Sequence, residues 1–195
     1  GVDYLTTTTD SSRGYLLSLL GFVLDPTPAN LPKDTSTLIS SSELRQIGAI
    51  MHSSPVLLTN SGTITTSSSG SVDTTNRNDY ILFGTTQGLL HVVDATTGQE
   101  KFAFVPNEMV TKQKNAFLKN DSTTAFNPTT HDNLFYGVDG PWSVYSEYVP
   151  KADGSLTVGA GLGGATGQQL AYGGLRMGGR SYYALDLQNV SSPTM

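Results

Sequence analysis

Two stretches of this chain repeat one pattern, and that pattern limits the fold more than any other feature of the sequence. Residues 80–98 read YILFGTTQGLLHVVDATTG, and residues 170–190 read LAYGGLRMGGRSYYALDLQNV. Each stretch has an apolar strand, a glycine turn, a second apolar strand and a terminal aspartate, Asp94 or Asp186. Short strands separated by glycine turns predict antiparallel hairpins, and their recurrence predicts an all-β sandwich, barrel or propeller.

The spacing of the repeat favours a β-propeller with quinoprotein-like blades. Asp94 and Asp186 lie about two blade periods apart, a blade having ~40 to 50 residues, so one further repeat unit is expected between them. Residues 51–195 have room for about three blades, whereas propellers close with ~4 to 8. We therefore interpret 51–195 as the first blades of an incomplete propeller, whose remainder is expected on a longer or a second chain.

The first part of the chain, residues 1–50, is interpreted as an irregular lead-in with short helices. Asp10 is expected to begin a helix that Gly21 ends, and Ser40 with Glu43 has the spacing of a capping box ahead of a second helix. Further strands are expected at 54–58, 80–83, 89–93, 101–105, 134–138, 142–149, 155–158, 169–172 and 181–187. In the stretch from Trp142, the side chains of Trp142, Val144 and Tyr148 should share one face.

Glycines and polar residues mark the turns and loops. Gly173 and Gly174 should end a strand, and Gly178 and Gly179 should allow a tight return into the next one. Polar loops at 59–79, 107–132 and 150–168 would project from the rigid sheets and present the contact surface for a partner.

Composition excludes several classes of function. The net charge is -5, the isoelectric point is near 5.0, and the chain has no run of Lys or Arg, which argues against binding nucleic acid. The absence of cysteine excludes disulfides and thiolate zinc sites. The nucleophile motif G-x-S-x-G and a His-x-x-x-His pair are also missing, so no catalytic residue is assigned.

One stretch imitates a dinucleotide-binding motif. Residues 159–164 read GAGLGG, and Asp186 follows at about the distance of a ribose-binding acid. The intervening segment would have to form a packed helix, yet it holds five glycines, which together cost such a helix about 5 kcal/mol. We interpret these glycines as turns.

A metal site is considered at 73–79, where Asp73, Asn76, Asn78 and Asp79 carry oxygen ligands. Arg77 occupies one of the alternate positions that a calcium loop needs for a ligand, so the stretch is interpreted as a polar loop. His52, His91 and His131 are scattered, and His91 lies within an apolar strand, where a structural role is expected.

Three segments together closely resemble the β-propeller region of the PilY1 family, tip-associated proteins of type IV pili. They are residues 43–58 (ELRQIGAIMHSSPVLL), 80–106 and 173–187, with YGVDG at 136–140 as a further similar segment. One departure is Ala49, where family members usually have Asp. The family-motif positions are Gly48, Ser53, Ser54, Pro55, Gly84, Gly88, Asp94, Gly98, Gly173, Gly174, Gly178, Gly179, Arg180 and Asp186.

The resemblance implies an exported protein at the pilus tip or cell surface. It would assist pilus assembly with minor pilins and mediate adhesion to host or abiotic surfaces, twitching or DNA uptake, by binding and without catalysis. No cofactor is implied for this segment, since the family's calcium loop lies in a later blade. Two alternatives stay open: a quinoprotein-type enzyme, although this chain has no cysteine and one tryptophan, and a secreted glycan-binding propeller.

Overall fold

The computed structural model describes residues 7–27, 31–39, 47–63, 65–73, 76–118 and 135–195. Within these ranges the chain forms two main antiparallel sheets, a small ribbon and two short α-helices, with 3-10 turns between them. The helices are α1 Arg13–Leu19 and α2 Asn107–Lys112. The strands are β1 Val56–Gly62, β2 Thr65–Thr66, β3 Val72–Asp73, β4 Arg77–Gly84, β5 Leu90–Asp94, β6 Glu100–Phe104, β7 Trp142–Glu147, β8 Val149–Pro150, β9 Leu156–Thr157, β10 Gln168–Gly174 and β11 Tyr182–Asp186.

The strands pair antiparallel throughout the described ranges, so the all-β prediction is confirmed. The first sheet has the order β6-β5-β4-β1-β9-β8, the second has the order β11-β10-β7, and β2 pairs with β3. In the first sheet, strands β1-β4-β5-β6 form an up-and-down meander. In the second sheet, strands β7-β10-β11 form another. Neither sheet closes on itself within the described part of the chain, and the propeller stays a prediction.

The two repeated stretches form hairpins with one shared register. In each hairpin, the terminal aspartate of the second strand pairs with a residue of the first strand. That residue lies four positions before the glycine that ends the first strand. The equivalent pairs are Tyr80 with Asp94, before Gly84, and Leu170 with Asp186, before Gly174. The repeat seen in the sequence is therefore also a structural repeat.

Both aspartates accept hydrogen bonds from the turn that follows their strand. The Asp94 carboxylate accepts hydrogen bonds from the backbone N–H of Thr96 and Thr97, and Asp186 accepts one from the N–H of Gln188. Gly98 closes the first of these turns with φ of +72°, a conformation that favours glycine.

Among the described strands, no further repeat unit lies between the two hairpins, and beyond them it stays a prediction. Strand β6 completes the first sheet, and β7 begins the second. Strands β8 and β9 form a short hairpin that pairs with Ser61 and Gly62 at the far end of β1. Each described strand between the two hairpins therefore belongs to one or the other of the two main sheets.

The core lies between the two sheets. Leu58, Leu82, Leu90 and Val92 of the first sheet are fully buried and belong to one apolar cluster with Trp142, Ala171 and Leu185 of the second. Alternation along the strands brings these residues to one face. Trp142 and Val144 follow the prediction, whereas Tyr148 lies beyond the end of β7, exposed. Tyr183 packs on the core and Tyr182 is exposed, since neighbouring residues of a strand point to opposite faces.

A buried polar contact also fixes one sheet against the other. The Gln169 side chain, fully buried in β10, donates a hydrogen bond to the Thr59 carbonyl of β1 at 3.1 Å. The Asn60 amide donates in turn to the carbonyls of Leu187 and Gln188. A buried amide needs such partners, since an unsatisfied one costs ~1 to 3 kcal/mol. We call Asn60 and Gln169 the amide clamp.

The lead-in contains the first predicted helix. In α1, Leu17 is buried, Asp10 accepts a hydrogen bond from the N–H of Ser12 just before the helix, and Gly21 follows its end. The helix lies against the 3-10 turn Lys114–Phe117, where the Lys114 ammonium sits 4.7 Å from the Tyr15 ring centroid. The second predicted helix falls on residues 40–46, outside the described residues. The boundary at residue 50 stays a prediction.

Three sequence-based expectations about loops and strands need correction. The expected loop 59–79 includes the end of β1, the β2–β3 ribbon and the start of β4. The expected loop 107–132 begins with α2, which buries Met109 and Val110, and continues into the turn Lys114–Phe117. The strand expected at 134–138 is absent over 135–138, where Gly137 has φ of +61°. A left-handed residue interrupts the extended backbone that a strand needs.

The GAGLGG stretch is a turn and does not begin a nucleotide-binding helix. Residues Leu162–Gly164 form a 3-10 turn in which Gly163 and Gly164 have positive φ, and an antiparallel strand, β10, follows. The dinucleotide interpretation is therefore excluded.

No helix among the described residues combines the length and apolar character needed to cross a bilayer.

Candidate functional site

The segments that carry the family resemblance converge at one end of the two sheets. The Gly84 N–H donates a 2.8 Å hydrogen bond to the Ser53 hydroxyl, and the Thr86 N–H donates to the Ala49 carbonyl. The Val138 N–H donates to the Thr85 carbonyl at 3.0 Å. The backbone of Gly178 rests directly on that of Gly137, since a Cβ at Gly178 would overlap the Gly137 carbonyl. We call the meeting point of 48–53, 84–88, 136–140 and 174–179 the glycine junction.

Glycine is required at this junction because main chains touch there. The residue at 178 has no room for a side chain, and Gly84 is similarly close to the Val138 carbonyl. Gly48 lies against Gln87, and Gly88 lies against the Met109 side chain. The glycines are therefore packing elements of a rigid junction. These close contacts agree with the interpretation of the glycines as turn residues. They also explain physically why the resembling segments have glycine at these positions.

Asp139 lies in the glycine junction beneath the side chains of His52 and Arg176. Its side chain is fully buried, and its two oxygens contact His52 Nδ1 at 2.8 Å and Arg176 Nη1 at 3.2 Å. His52 and Arg176 are each about half exposed. Arg176 has φ of +51°, and no other described residue besides glycines has positive φ. Since a left-handed arginine is strained, its contact with Asp139 helps to hold the turn.

Helix α2 covers the other side of the junction. The Glu108 carboxylate accepts hydrogen bonds from the Ser181 hydroxyl at 2.8 Å and the Arg180 N–H at 3.2 Å. The Gln113 amide donates to the Gly178 carbonyl, and its oxygen accepts from the Gly137 N–H. Helix α2 and Gln113, the residue that follows it, thus tie residues 137, 178 and 181 together.

These contacts predict a pH dependence of stability. The Ser181 hydroxyl, helped by Lys112 and the Arg180 N–H, lowers the pKa of Glu108 below its ordinary value of 4.5. A lowered pKa stabilises the fold above the ordinary value, and this contribution disappears as the pH falls through the lowered pKa. We therefore expect Glu108→Gln to lower the melting temperature at neutral pH, and we expect this difference to shrink as the pH falls below 4.5. Thermal melts of both proteins across this range measure it, and a difference independent of pH would contradict it.

A groove lies where two of the three predicted contact loops meet. Because β9 pairs with the end of β1, loop 150–168 reaches loop 59–79. The groove has a volume of about 420 Å³. Its lining residues are Thr59, Gly62, Thr63, Arg77, Tyr148, Gly154 and Leu156. We call it the loop groove.

The loop groove offers a mixed polar and apolar surface for binding. The Tyr148 hydroxyl donates to the Thr59 carbonyl at 2.7 Å, which fixes its ring along the groove. Arg77 donates to the Asp79 carboxylate and to the Thr59 hydroxyl. Leu156 adds an exposed apolar side chain. A few fixed polar groups beside apolar surface are typical of a recognition site.

The candidate metal residues are engaged in other contacts or only partly described. Asp79 accepts hydrogen bonds from Thr59 and Arg77, and the Asn78 amide donates to the Ser61 hydroxyl. Asn76 lies in an exposed turn, and the side chain of Asp73 lies outside the described residues. No group of three acidic or histidine side chains able to hold a metal occurs within the described ranges. Asp79 therefore holds the side chain of Arg77, which lines the loop groove, in place.

The histidines occupy separate places. His91 is buried in β5, stacks on Phe83 with ring centroids 5.3 Å apart, and contacts Glu100 at 2.6 Å through Nδ1. His52 belongs to the glycine junction, and His131 lies outside the described residues. The structural role expected of His91 fits these contacts.

The family-motif positions lie in four different places. Most of them meet at or beside the glycine junction: Gly48, Ser53, Gly84, Gly88, Gly174, Gly178, Gly179 and Arg180. Asp94, Gly98 and Asp186 lie apart, in the turns at the other ends of the strands, while Gly173 is covered by the Trp142 ring. Ser54 and Pro55 are exposed and lead into β1.

Sequence reasoning missed the residues that close the junction. Asp139 was noticed only within the YGVDG segment, and Glu108 and Gln113 lay in an expected loop. The signal for α2 was present: Pro106 precedes the helix, Glu108 stands in the first turn and Lys112 in the last.

Comparisons of this chain with family models, with curated proteins and with solved structures found no significant match.

Proposed function

We propose that this chain is part of a β-propeller and acts by binding, as a tip-associated protein of type IV pili similar to the PilY1 family. The observation that supports this best is the convergence of the resembling segments on one junction, although they are far apart in sequence. A chance resemblance in composition would give segments without common contacts. In this proposal each meander, β1-β4-β5-β6 and β7-β10-β11, belongs to one blade.

The proposed activity is recognition of partner proteins at the outer cell surface, in pilus assembly with minor pilins and in adhesion, twitching or DNA uptake. Partners would contact the loop groove. The glycine junction and the amide clamp hold the two sheets rigidly, and loops on a rigid frame recognise a partner at low entropic cost. Tyr148 and Leu156 provide exposed apolar surface beside the fixed Arg77–Asp79 pair.

The direct test is capture of purified minor pilins by the immobilised chain. We expect retention by the wild type and loss with Leu156→Asp or Tyr148→Ala. Tyr145→Ala removes a similarly exposed ring from the outer face of the second sheet and serves as the matched control. Circular dichroism checks that each variant is folded. Absence of capture by the wild type, with normal piliation after deletion of the gene, would contradict the proposal.

A second candidate, a glycan-binding propeller, is favoured by a row of tyrosines. Tyr145 of β7, Tyr172 of β10 and Tyr182 of β11 are exposed on one face of the second sheet. The register places Tyr172 diagonal to each of the other two, because Tyr145 lies opposite Leu170 and Tyr182 opposite Gly174. Sugar rings pack their flat C–H faces on such aromatic surfaces. A glycan array that detects binding by the wild type and none by Tyr172→Ala would favour this function over the pilin partner.

A further inference from the structure

Arg13, the first residue of α1, carries a guanidinium that is buried away from water. The residue is 1% exposed and belongs to the largest fully buried side chains of the described ranges. Burial of an isolated charge is costly, so buried charges in proteins are paired with an opposite charge. Arg13 therefore requires an anionic partner.

The hydrogen bonds of Arg13 leave most of its donors unused. Its Nη2 donates to the Pro32 carbonyl at 2.6 Å, whereas Nε and Nη1 are buried and have no hydrogen-bond partner. A guanidinium has five N–H donors, and a backbone carbonyl carries no charge that could neutralise it. Among the described residues, no carboxylate forms an ion pair with Arg13.

The three described acidic residues of the lead-in bind elsewhere. Asp10, Asp25 and Asp34 each accept a hydrogen bond from the backbone N–H two residues further along the chain. Side-chain and backbone hydrogen bonds from those neighbours lower the pKa of Asp25 and Asp34. Both carboxylates are thus stabilised as anions within their own turns, and neither compensates Arg13.

Packing around α1 holds the guanidinium in its buried position. A Cβ at Gly14 would overlap the Pro26 carbonyl, so the backbone of the helix lies directly against the chain at that point. The carbonyl of Pro32 fixes the end of the Arg13 side chain. The unused donors therefore stay inside the protein, where only a bound group can satisfy them.

We propose that Arg13 forms an anion-binding site, which takes up a small oxyanion, a phosphate or a carboxylate, on the Nε and Nη1 donors. The planar guanidinium matches the oxygens of both groups, and charge-assisted hydrogen bonds are about twice as strong as neutral ones. The oxyanion would satisfy the buried donors and neutralise the buried charge. The inference depends only on the surroundings of Arg13 and stands without the proposed role at a pilus.

Thermal melts of the 195-residue chain in phosphate or in acetate test the site. A ligand that binds only the folded protein raises the melting temperature in a saturable manner. We expect such a rise for the wild type with at least one of the two anions, relative to sodium chloride of the same ionic strength. The anion that gives the larger rise identifies the group that the site prefers.

Arg13→Met is the critical variant, because it removes the guanidinium and keeps an unbranched side chain. Arg180→Met, at an exposed arginine, is the matched control. We expect Arg13→Met to weaken the apparent affinity for the anion by about tenfold or more and Arg180→Met to leave it nearly unchanged. The NMR signal of the Arg13 Nε–H provides a second measurement on the wild type, and it should shift as the anion is added.

The absence of a saturable rise with either anion would overturn the proposal, as would equal responses of the wild type and Arg13→Met. If Arg13→Met does not fold, the Nε–H signal decides. A signal that neither anion shifts would also overturn the proposal, since that result is expected when an acidic side chain of the chain itself already neutralises Arg13.

Discussion

Replacing Gly137 by alanine is expected to lower the free energy of unfolding by about 2 to 5 kcal/mol. Two effects add at this position. The residue has φ of +61°, which an L-amino acid adopts only with strain, and a Cβ would collide with the Thr85 and Thr86 carbonyls. These carbonyls belong to the turn of the first hairpin, so neither can yield without disturbing the glycine junction.

Gly98→Ala is the matched control for this prediction. Gly98 also has a left-handed backbone, at +72°, but no atom lies within 4 Å of the position of a Cβ. It should therefore cost only the backbone strain, about 1 to 2 kcal/mol. Urea unfolding of both variants separates the two effects. Equal losses of stability would mean that the close approach of the chains at Gly137 does not contribute.

Trp142→Ala is expected to cost about 3 to 5 kcal/mol. The indole is buried in the core cluster at the start of β7 and lies flat on Gly173 of β10. Its removal leaves a cavity that the backbone of β10 cannot fill. Denaturant unfolding, followed by circular dichroism because the only tryptophan is lost, measures the effect.

Two further variants locate the origin of this loss. Trp142→Phe should cost much less than Trp142→Ala, because the indole N–H has no hydrogen-bond partner among the described residues and its removal leaves nothing unsatisfied. Tyr145→Ala, on the exposed side of the same strand, should stay within about 1 kcal/mol of the wild type. A large effect of Tyr145→Ala would indicate that strand propensity, and not core packing, dominates in β7.

The hairpins could be predicted from the sequence because their signals are local. In 80–98 and 170–190, alternation of apolar residues and the turn residues between them lie within about 20 positions, and they agree with each other. The exposed Tyr182 and the packed Tyr183 follow from the same alternation. Helix α2 was missed because it is short and offers only Met109 and Val110 to the core, too few for a helical period.

The closing contacts of the candidate site could not be predicted, because they join distant residues. Asp139 meets Arg176 37 positions away, and Glu108 meets Ser181 73 positions away. Both contacts depend on how the 175–181 turn is placed by packing. The strand expected at 134–138 failed for a related reason: alternation suggested it, while the crowded contact with Thr85 imposes a left-handed Gly137.

The amide clamp has a consequence for how the protein matures. Asn60 makes its contacts with Gln169, Leu187 and Gln188, which follow it by 109, 127 and 128 positions. Closing such long intervals is slow compared with forming hairpins. On a ribosome, therefore, β1 would wait for more than 100 further residues to be synthesised before the Asn60 amide found its partners, and until then this part of the nascent chain would stay loosely assembled and accessible to chaperones.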